Sequence, residues 1–402
     1  MEEVRSPVGT LLWHSVHDVV LWGSTPPERR ADLFARAAAV NRVRDLRAAE
    51  MDDQLRVWLG GLARVLDGDQ PPRLEEVVAT CRRVSDWAER EGLPRTAIWY
   101  AQAAALLAPT VAEHAWRVGD LCRNASEYAR AVTWFARSIV LARRRRDGQT
   151  YARAYRRIGQ LLMHKGAYGD AEKAFGRAFR YARRAGIREV AAEALHDLFT
   201  VAVETGRVAE AQELARRAFH AYPAAHGRLP ALAHDIAVFW MFQGYPARAL
   251  PVLQAVRSAV HNLSDQLLAV SSIARAAGEA GDLEAFVAAW VDTWAIIDAN
   301  PHLDCITSSL ILLAQGSEAL GDRERVEVAA RYALEVATAR GQSRVAEDAR
   351  ILLAGADVTR TGGTGNPDPA ADRLATRLTR RIRSRPRQAA GTSPDTGPCL
   401  GR

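Results

Sequence analysis

Two His-Asp pairs are the residues best suited to chemistry: His196-Asp197 and His234-Asp235, set 38 residues apart in otherwise apolar segments. An imidazole can relay a proton, hold an anion or ligate a metal, and a carboxylate beside it fixes the ring's tautomer. Acyl transfer also needs a nucleophile on a defined turn, and the sequence contains no G-x-S-x-G. It also lacks G-x-x-x-x-G-K-[ST], which cradles phosphates, and H-E-x-x-H, which holds zinc. Two histidines from neighbouring helices need a third ligand for a metal site, and none can be named. The four cysteines are scattered, without a C-x-x-C pair. The expectation is therefore no catalytic residue, no metal and no cofactor: the chain is not read as an enzyme. A third pair, His17-Asp18, stands apart from the other two.

The second set is basic. Residues 117–188 hold eighteen basic and five acidic residues, whereas 1–116 and 189–354 are net acidic. The runs "ARRRRDG" (142–148) and "YARRAG" (181–186) end helices, where cations meet the carbonyl end of the helix dipole. Arg153, Arg156 and Arg157 instead begin a helix, against the dipole, which marks them as candidates for a bound anion. The arginine fork suits a carboxylate, so an acidic partner is expected. Only two lysines stand beside 52 arginines, a bias that points to a GC-rich bacterial genome.

Helices of a repeat must position these residues. Glycines are followed five residues later by a small or apolar residue: Gly166 by Ala171, Gly206 by Ala211, Gly244 by Ala249, Gly281 by Phe286 and Gly321 by Val326. Gly92 with Ala97 and Ser126 with Ala131 extend the series upstream. Each unit of about 40 residues reads as helix, turn, helix, with glycine in the left-handed conformation that ends the first helix. In the best unit, Tyr155, Ile158, Gly159 and Leu162 line the first helix, and Ala171, Phe175 and Ala178 the second.

These residues resemble the tetratricopeptide repeat (TPR). The match is close in 151–183, fair in 111–143 through Val118, Gly119, Ala131 and Phe135, and weaker downstream, where Phe199 takes the small slot. The resemblance implies an all-α, right-handed helical-hairpin solenoid, a TPR-like superhelix of about seven pairs, whose first helices line a concave groove. Three parts are expected: an N-terminal helical cap at 1–70, the repeat array with a closing helix at 71–356, and a disordered Arg/Pro/Gly-rich tail at 357–402. The tail should be dispensable for folding, although Leu374, Leu378 and Ile382 could form a basic amphipathic helix on an acidic surface.

The repeat phase aligns Trp116, Arg156, His196 and His234 with Ser271 and Ile311, and one residue on, Arg117, Arg157, Asp197 and Asp235 with Ser272 and Leu312. The His-Asp pairs are thus equivalent positions in adjacent units. Two readings stand: each Asp accepts a bond from a neighbouring helix, or Trp116, Arg117, Arg153, Arg156, Arg157, His196, Asp197, His234 and Asp235 line a ligand groove. No apolar run spans a membrane, the N-terminus is a poor secretory signal, and the cytoplasm is the default. The leading function is a non-catalytic TPR scaffold or adaptor binding an acidic protein or peptide in a groove with a basic centre. A regulatory or nucleic-acid-associated protein is the first alternative, less favoured because the centre lacks interleaved aromatics. A ligand-sensing subunit acting through a separate effector is the second.

Overall fold

The computed structural model describes residues 6–355 and 368–384. Among these residues the regular elements are all helices. Three open the chain: α1 (Pro7–Ser24), α2 (Ala38–Ala48) and α3 (Asp53–Ala63). Seven pairs follow: α4 (Leu74–Arg90) with α5 (Pro94–Leu107), α6 (Ala112–Asn124) with α7 (Tyr128–Arg145), α8 (Gly148–His164) with α9 (Tyr168–Arg184), and α10 (Arg188–Glu204) with α11 (Val208–Ala221). The series continues with α12 (Leu229–Phe242) and α13 (Pro246–Ala259), α14 (Leu263–Ala280) and α15 (Leu283–Ala299), and α16 (Ile306–Ala319) and α17 (Arg323–Ala339). A single helix, α18 (Ser343–Ala354), closes the array, and α19 (Pro369–Arg383) comes from the tail.

The turn inside each pair sits where the glycine spacing predicts it. Gly166 (φ 73°), Gly206 (φ 70°), Gly244 (φ 79°), Gly281 (φ 76°) and Gly321 (φ 74°) are left-handed. Ser126 adopts the same conformation at φ 61°, at a cost of roughly 1–2 kcal/mol for a residue with a Cβ. The five-residue offset follows from packing, because it brings Ala131, Ala171, Ala211, Ala249, Phe286 and Val326 into the buried seam of each pair. In the two best units the aromatic of the second helix covers a glycine of the first. A Cβ on Gly119 would lie 2.7 Å from Phe135, and one on Gly159 2.6 Å from Phe175. Asp147, Asp282 and Asp322 cap α8, α15 and α17 by accepting from the backbone N–H three residues on.

Packing divides the chain inside α10, into residues 1–194 and 195–402. In the first unit, α1 to α3 share one apolar core with α4 and α5, built around Leu12, Val19, Trp22, Leu59, Cys81 and Tyr100. The Tyr100 hydroxyl donates to the Leu12 carbonyl at 2.8 Å, which satisfies a fully buried phenol. Burial pushes its pKa well above the usual phenol value. The N-terminal helices thus complete the exposed side of the first pair.

In the second unit the structure corrects the expectation of a disordered tail for part of its length. Residues 369–383 form α19, which packs on α13 through buried Ala371, Ala375, Leu378 and Ile382. The reason is an apolar stripe at i, i+4, i+7 and i+11, hidden by the Gly, Thr, Pro and Arg that dominate the tail's composition. Polar groups lock the position. Arg248 donates to Asp372 at 2.6 Å. Arg381 donates to the carbonyls of Phe219 and Tyr222, at 2.9 and 2.5 Å, where α11 ends. The rest of the tail lies outside the described residues.

Candidate functional site

The first helices of the first unit are joined by ion pairs. Arg117 on α6 reaches back to α4 and donates to Asp86 at 2.8 Å and Glu89 at 2.5 Å. Arg157 on α8 stands 2.9 Å from Asp120 on α6, which also accepts from Arg123. Arg156 faces the other way and donates to Glu193 on α10 at 2.6 Å, 37 residues along the chain. Arg156 is 3% exposed and Arg157 2%. A buried guanidinium costs far more to desolvate than an exposed one unless carboxylates surround it, and here they do. Arg153 lies over Trp116, its guanidinium carbon 3.6 Å from the ring centroid.

Trp116 also lines a small recess of about 50 Å³ between α4, α5 and α6, together with Arg82, Ser85, Asp86, Glu113, His114 and Arg117. The Trp116 indole N–H is buried and has no hydrogen-bond partner. Arg82 is exposed and has no ion-pair partner among the described residues. His114 is held below the usual imidazole pKa, first by burial and then by Arg82, against the opposing effect of Glu113.

In the second unit the two histidines converge on one carboxylate. His196 Nε2 is 2.7 Å from Asp235 Oδ2, and its Nδ1 is 3.4 Å from the Tyr222 hydroxyl. His234 Nδ1 is 3.4 Å from Asp235 Oδ1, and its Nε2 is 3.0 Å from the Ser272 hydroxyl on α14. Asp235 is the centre of this chain: each ring can pass an N–H to the carboxylate, and the Tyr222 and Ser272 hydroxyls can donate to the ring nitrogens that remain. Burial alone would raise the Asp235 pKa. The bonds from His196 and His234 outweigh it and hold the carboxyl below its ordinary value.

The order Ser272, His234, Asp235 is that of a hydrolase triad, yet its geometry is that of packing. Ser272 is 1% exposed, and the second oxygen of Asp235 is taken by His196. No substrate carbonyl can reach the serine without separating α12 from α14. Among the described residues no group of three or more His, Cys, Asp or Glu is placed to hold a metal ion. His17 and Asp18 are structural as well. His17 Nδ1 is 2.8 Å from the Trp13 carbonyl, and Asp18 pairs with Arg42 at 2.7 Å.

Most of the residues assigned to a groove lie between helices. Arg156, Arg157, His196 and Asp197 are buried, His234 and Asp235 half-buried. Arg117 and Arg153 remain half-exposed, and buried Trp116 lines the recess. The acceptors Asp86, Glu89, Asp120 and Glu193 escaped the sequence reading. The signal that could have found two of them is the repeat length itself, because Asp120 and Glu193 lie one unit, 37 residues, from Arg157 and Arg156.

No protein-family model and no curated protein matches the sequence. Solved structures do match in fold. The apo form of RapI aligns over 87% of this chain and 99% of its own, at TM-score 0.53 and 10% identity. A signal transduction ATPase with numerous domains from Pyrococcus horikoshii, which carries a tetratricopeptide repeat sensor, aligns over 84% of this chain and 53% of its own, also at TM-score 0.53 and 10% identity. BtubC from P. vanneervenii aligns over 58% of this chain and 94% of its own, at TM-score 0.43 and 16% identity. At 10% identity, the likeness to the first two speaks for the fold alone. Nineteen α-helices among the described residues, left-handed turns at the phased glycines and small-on-aromatic packing within pairs agree with it: the chain is an all-α, TPR-like helical-repeat protein.

Proposed function

We propose that this chain is a non-catalytic scaffold or adaptor that holds an acidic protein or peptide segment against the first helices of its repeats. The recess beside Trp116 carries this reading. It is lined by Trp116, whose buried indole N–H has no hydrogen-bond partner, and by two arginines from different helices. A buried donor left without an acceptor costs about 1–3 kcal/mol, a cost that a ligand carbonyl or carboxylate would relieve. Arg82 forms no ion pair among the described residues and is the cation of this recess left to meet an anion, beside Glu113 and the Asp86 that Arg117 holds. The ion pairs of Arg117, Arg156 and Arg157 support the site by holding the first helices in register. His196 and His234 serve the same purpose in the second unit.

The test is affinity capture with the full chain, identification of bound proteins by mass spectrometry, and titration of the captured partner. Trp116→Phe keeps the ring and removes the donor, and should weaken binding by about 0.5–1.5 kcal/mol. Arg82→Ala should cost about 1.5–3 kcal/mol, as expected for a bond to a charged group. Unchanged affinity in both variants would remove the recess from the binding surface.

A further inference from the structure

Tyr151 and Tyr155 lie one turn apart on α8, and Tyr181 reaches them from the end of α9. The ring centroids are 5.0 Å apart for Tyr151 and Tyr155, and 4.7 Å for Tyr151 and Tyr181. Gly148, at the start of α8, makes the approach possible, since a Cβ there would stand 3.0 Å from Tyr181 Cε1. Tyr181 is the outermost ring, 38% exposed, with half-buried Tyr151 and Tyr155 behind it.

Guanidinium groups border this run of rings. Arg177 Nη1 donates to the Tyr155 hydroxyl at 3.5 Å, and its guanidinium carbon is 5.6 Å from that ring's centroid. Arg143 and Arg177 both lie close enough to act electrostatically on the Tyr151 phenol. Arg180, next to Tyr181 in the chain, folds back over Gly176 of its own helix, and Arg143, Arg177 and Arg180 are all exposed. The helix dipole accounts for Arg143, in the last turn of α7. It does not account for Arg177 and Arg180, which precede the last turn of α9, or for three tyrosines gathered among cations, which corrects the sequence reading that the basic centre lacks interleaved aromatics. The nearby carboxylate of Asp147 is engaged in capping α8, where it accepts from the Thr150 N–H.

We propose that this surface of α7, α8 and α9 binds single-stranded nucleic acid. A base stacks on the open face of Tyr181, and the sugar-phosphate backbone runs past Arg143, Arg177 and Arg180. Cations that track phosphates beside a ring that takes a base are the two parts such binding requires. An acidic peptide would use the arginines and leave the rings unexplained. A duplex would satisfy the charge but withhold its base faces. The site is separate from the recess beside Trp116, so either can fail without the other.

The experiment uses the full chain and a fluorescently labelled oligouridylate of about 12 nucleotides, followed by anisotropy from about 50 to 300 mM KCl. Affinity should fall steeply with salt. Changing both Arg177 and Arg180 to Ala should lower the slope of log K against log salt by about 1.4, or roughly 0.7 for each phosphate that is no longer neutralised. Tyr181→Ala should weaken binding about 5- to 150-fold, while Tyr181→Phe should leave it nearly unchanged. Photocrosslinking with 5-iodouracil, mapped by mass spectrometry, should mark the peptide containing Tyr181. Three results would overturn the proposal: no binding at the lowest salt, equal affinity and slope in wild type and variants, or equal competition by an acidic peptide of matching charge. The last would assign the surface to a protein partner.

Discussion

Asp235 is the acceptor on which both histidines of the second unit depend, so Asp235→Ala tests the packing role of the His-Asp pairs. Two bonds would be removed. The one from His196, at 2.7 Å to a charged oxygen, is worth about 1.5–3 kcal/mol. The one from His234, at 3.4 Å, is long and contributes about 0.5–1 kcal/mol. The expected loss is about 2–4 kcal/mol, which for a unit of this size lowers Tm by roughly 5–15 °C. Repeat arrays open locally, so calorimetry should be paired with amide exchange. The change should concentrate in residues 195–204 and 229–242, with little effect in α16 to α18.

Acid titration gives a second arm with a definite sign. The folded carboxyl of Asp235 lies below its ordinary value, so the folded state binds its proton less readily than the unfolded chain does. This contribution is therefore complete above the unfolded value, about 3.9, and is lost as pH falls through the folded one. The gap between wild type and Asp235→Ala should narrow below about pH 4, by at most roughly 1.4 kcal/mol per pH unit. A Tm loss under about 2 °C at neutral pH, or a gap that widens on acidification, would refute the reasoning.

Two further outcomes follow from packing. A Cβ on Gly278 would lie 2.2 Å from the Gly316 carbonyl oxygen, whereas Gly60 faces open space in α3. Gly278→Ala should therefore cost about 1–3 kcal/mol and Gly60→Ala gain about 0.5–1 kcal/mol, both read by urea denaturation; the opposite signs would contradict the close approach of α14 and α16. Leu378, fully buried on α13, should anchor the tail. Leu378→Asp should release α19 and expose residues 369–383 to limited proteolysis, and protection equal to wild type would show that the helix does not depend on that side chain.

The fold was legible because one residue type carried its signal. A left-handed turn followed five residues later by a seam residue is a local requirement that survives in every unit, even where Phe286 or Val326 replaces alanine. The seven turns could be placed from that spacing alone. The site was only half legible. Phase aligned Arg156 with His196 and His234, but phase gives a position on a helix and not the depth of a side chain. Whether an arginine faces a groove or a carboxylate depends on residues a full repeat away. Burial of Arg156 by Glu193, and of His196 by Asp235, could be inferred only by pairing positions 37 to 39 apart. The tail misled for another reason: a stripe of two alanines, a leucine and an isoleucine among arginines resembles a solvated helix until the surface that receives it is known.

The phased position also sets how closely adjacent first helices approach. In the first unit the connections are long, arginine to aspartate or glutamate, and span the gap with the side chain of the longest cation. In the second they shorten, from His196 with Asp235 to His234 with Ser272. Between α14 and α16 there is no side-chain connection at the closest point, where Gly278 meets the backbone of Gly316. Each contact needs donors and acceptors, or apolar surfaces, that fill their own gap without leaving a buried polar group unpaired. An arginine placed at His234 would overfill the space before Ser272, and a serine at Arg156 would leave Glu193 buried without its cation. The His-Asp pairs recur because two neighbouring gaps share one carboxylate. They mark the spacing between first helices in the second unit, and the surfaces proposed to meet a partner belong to the first, at Trp116 and at the tyrosines of α8 and α9.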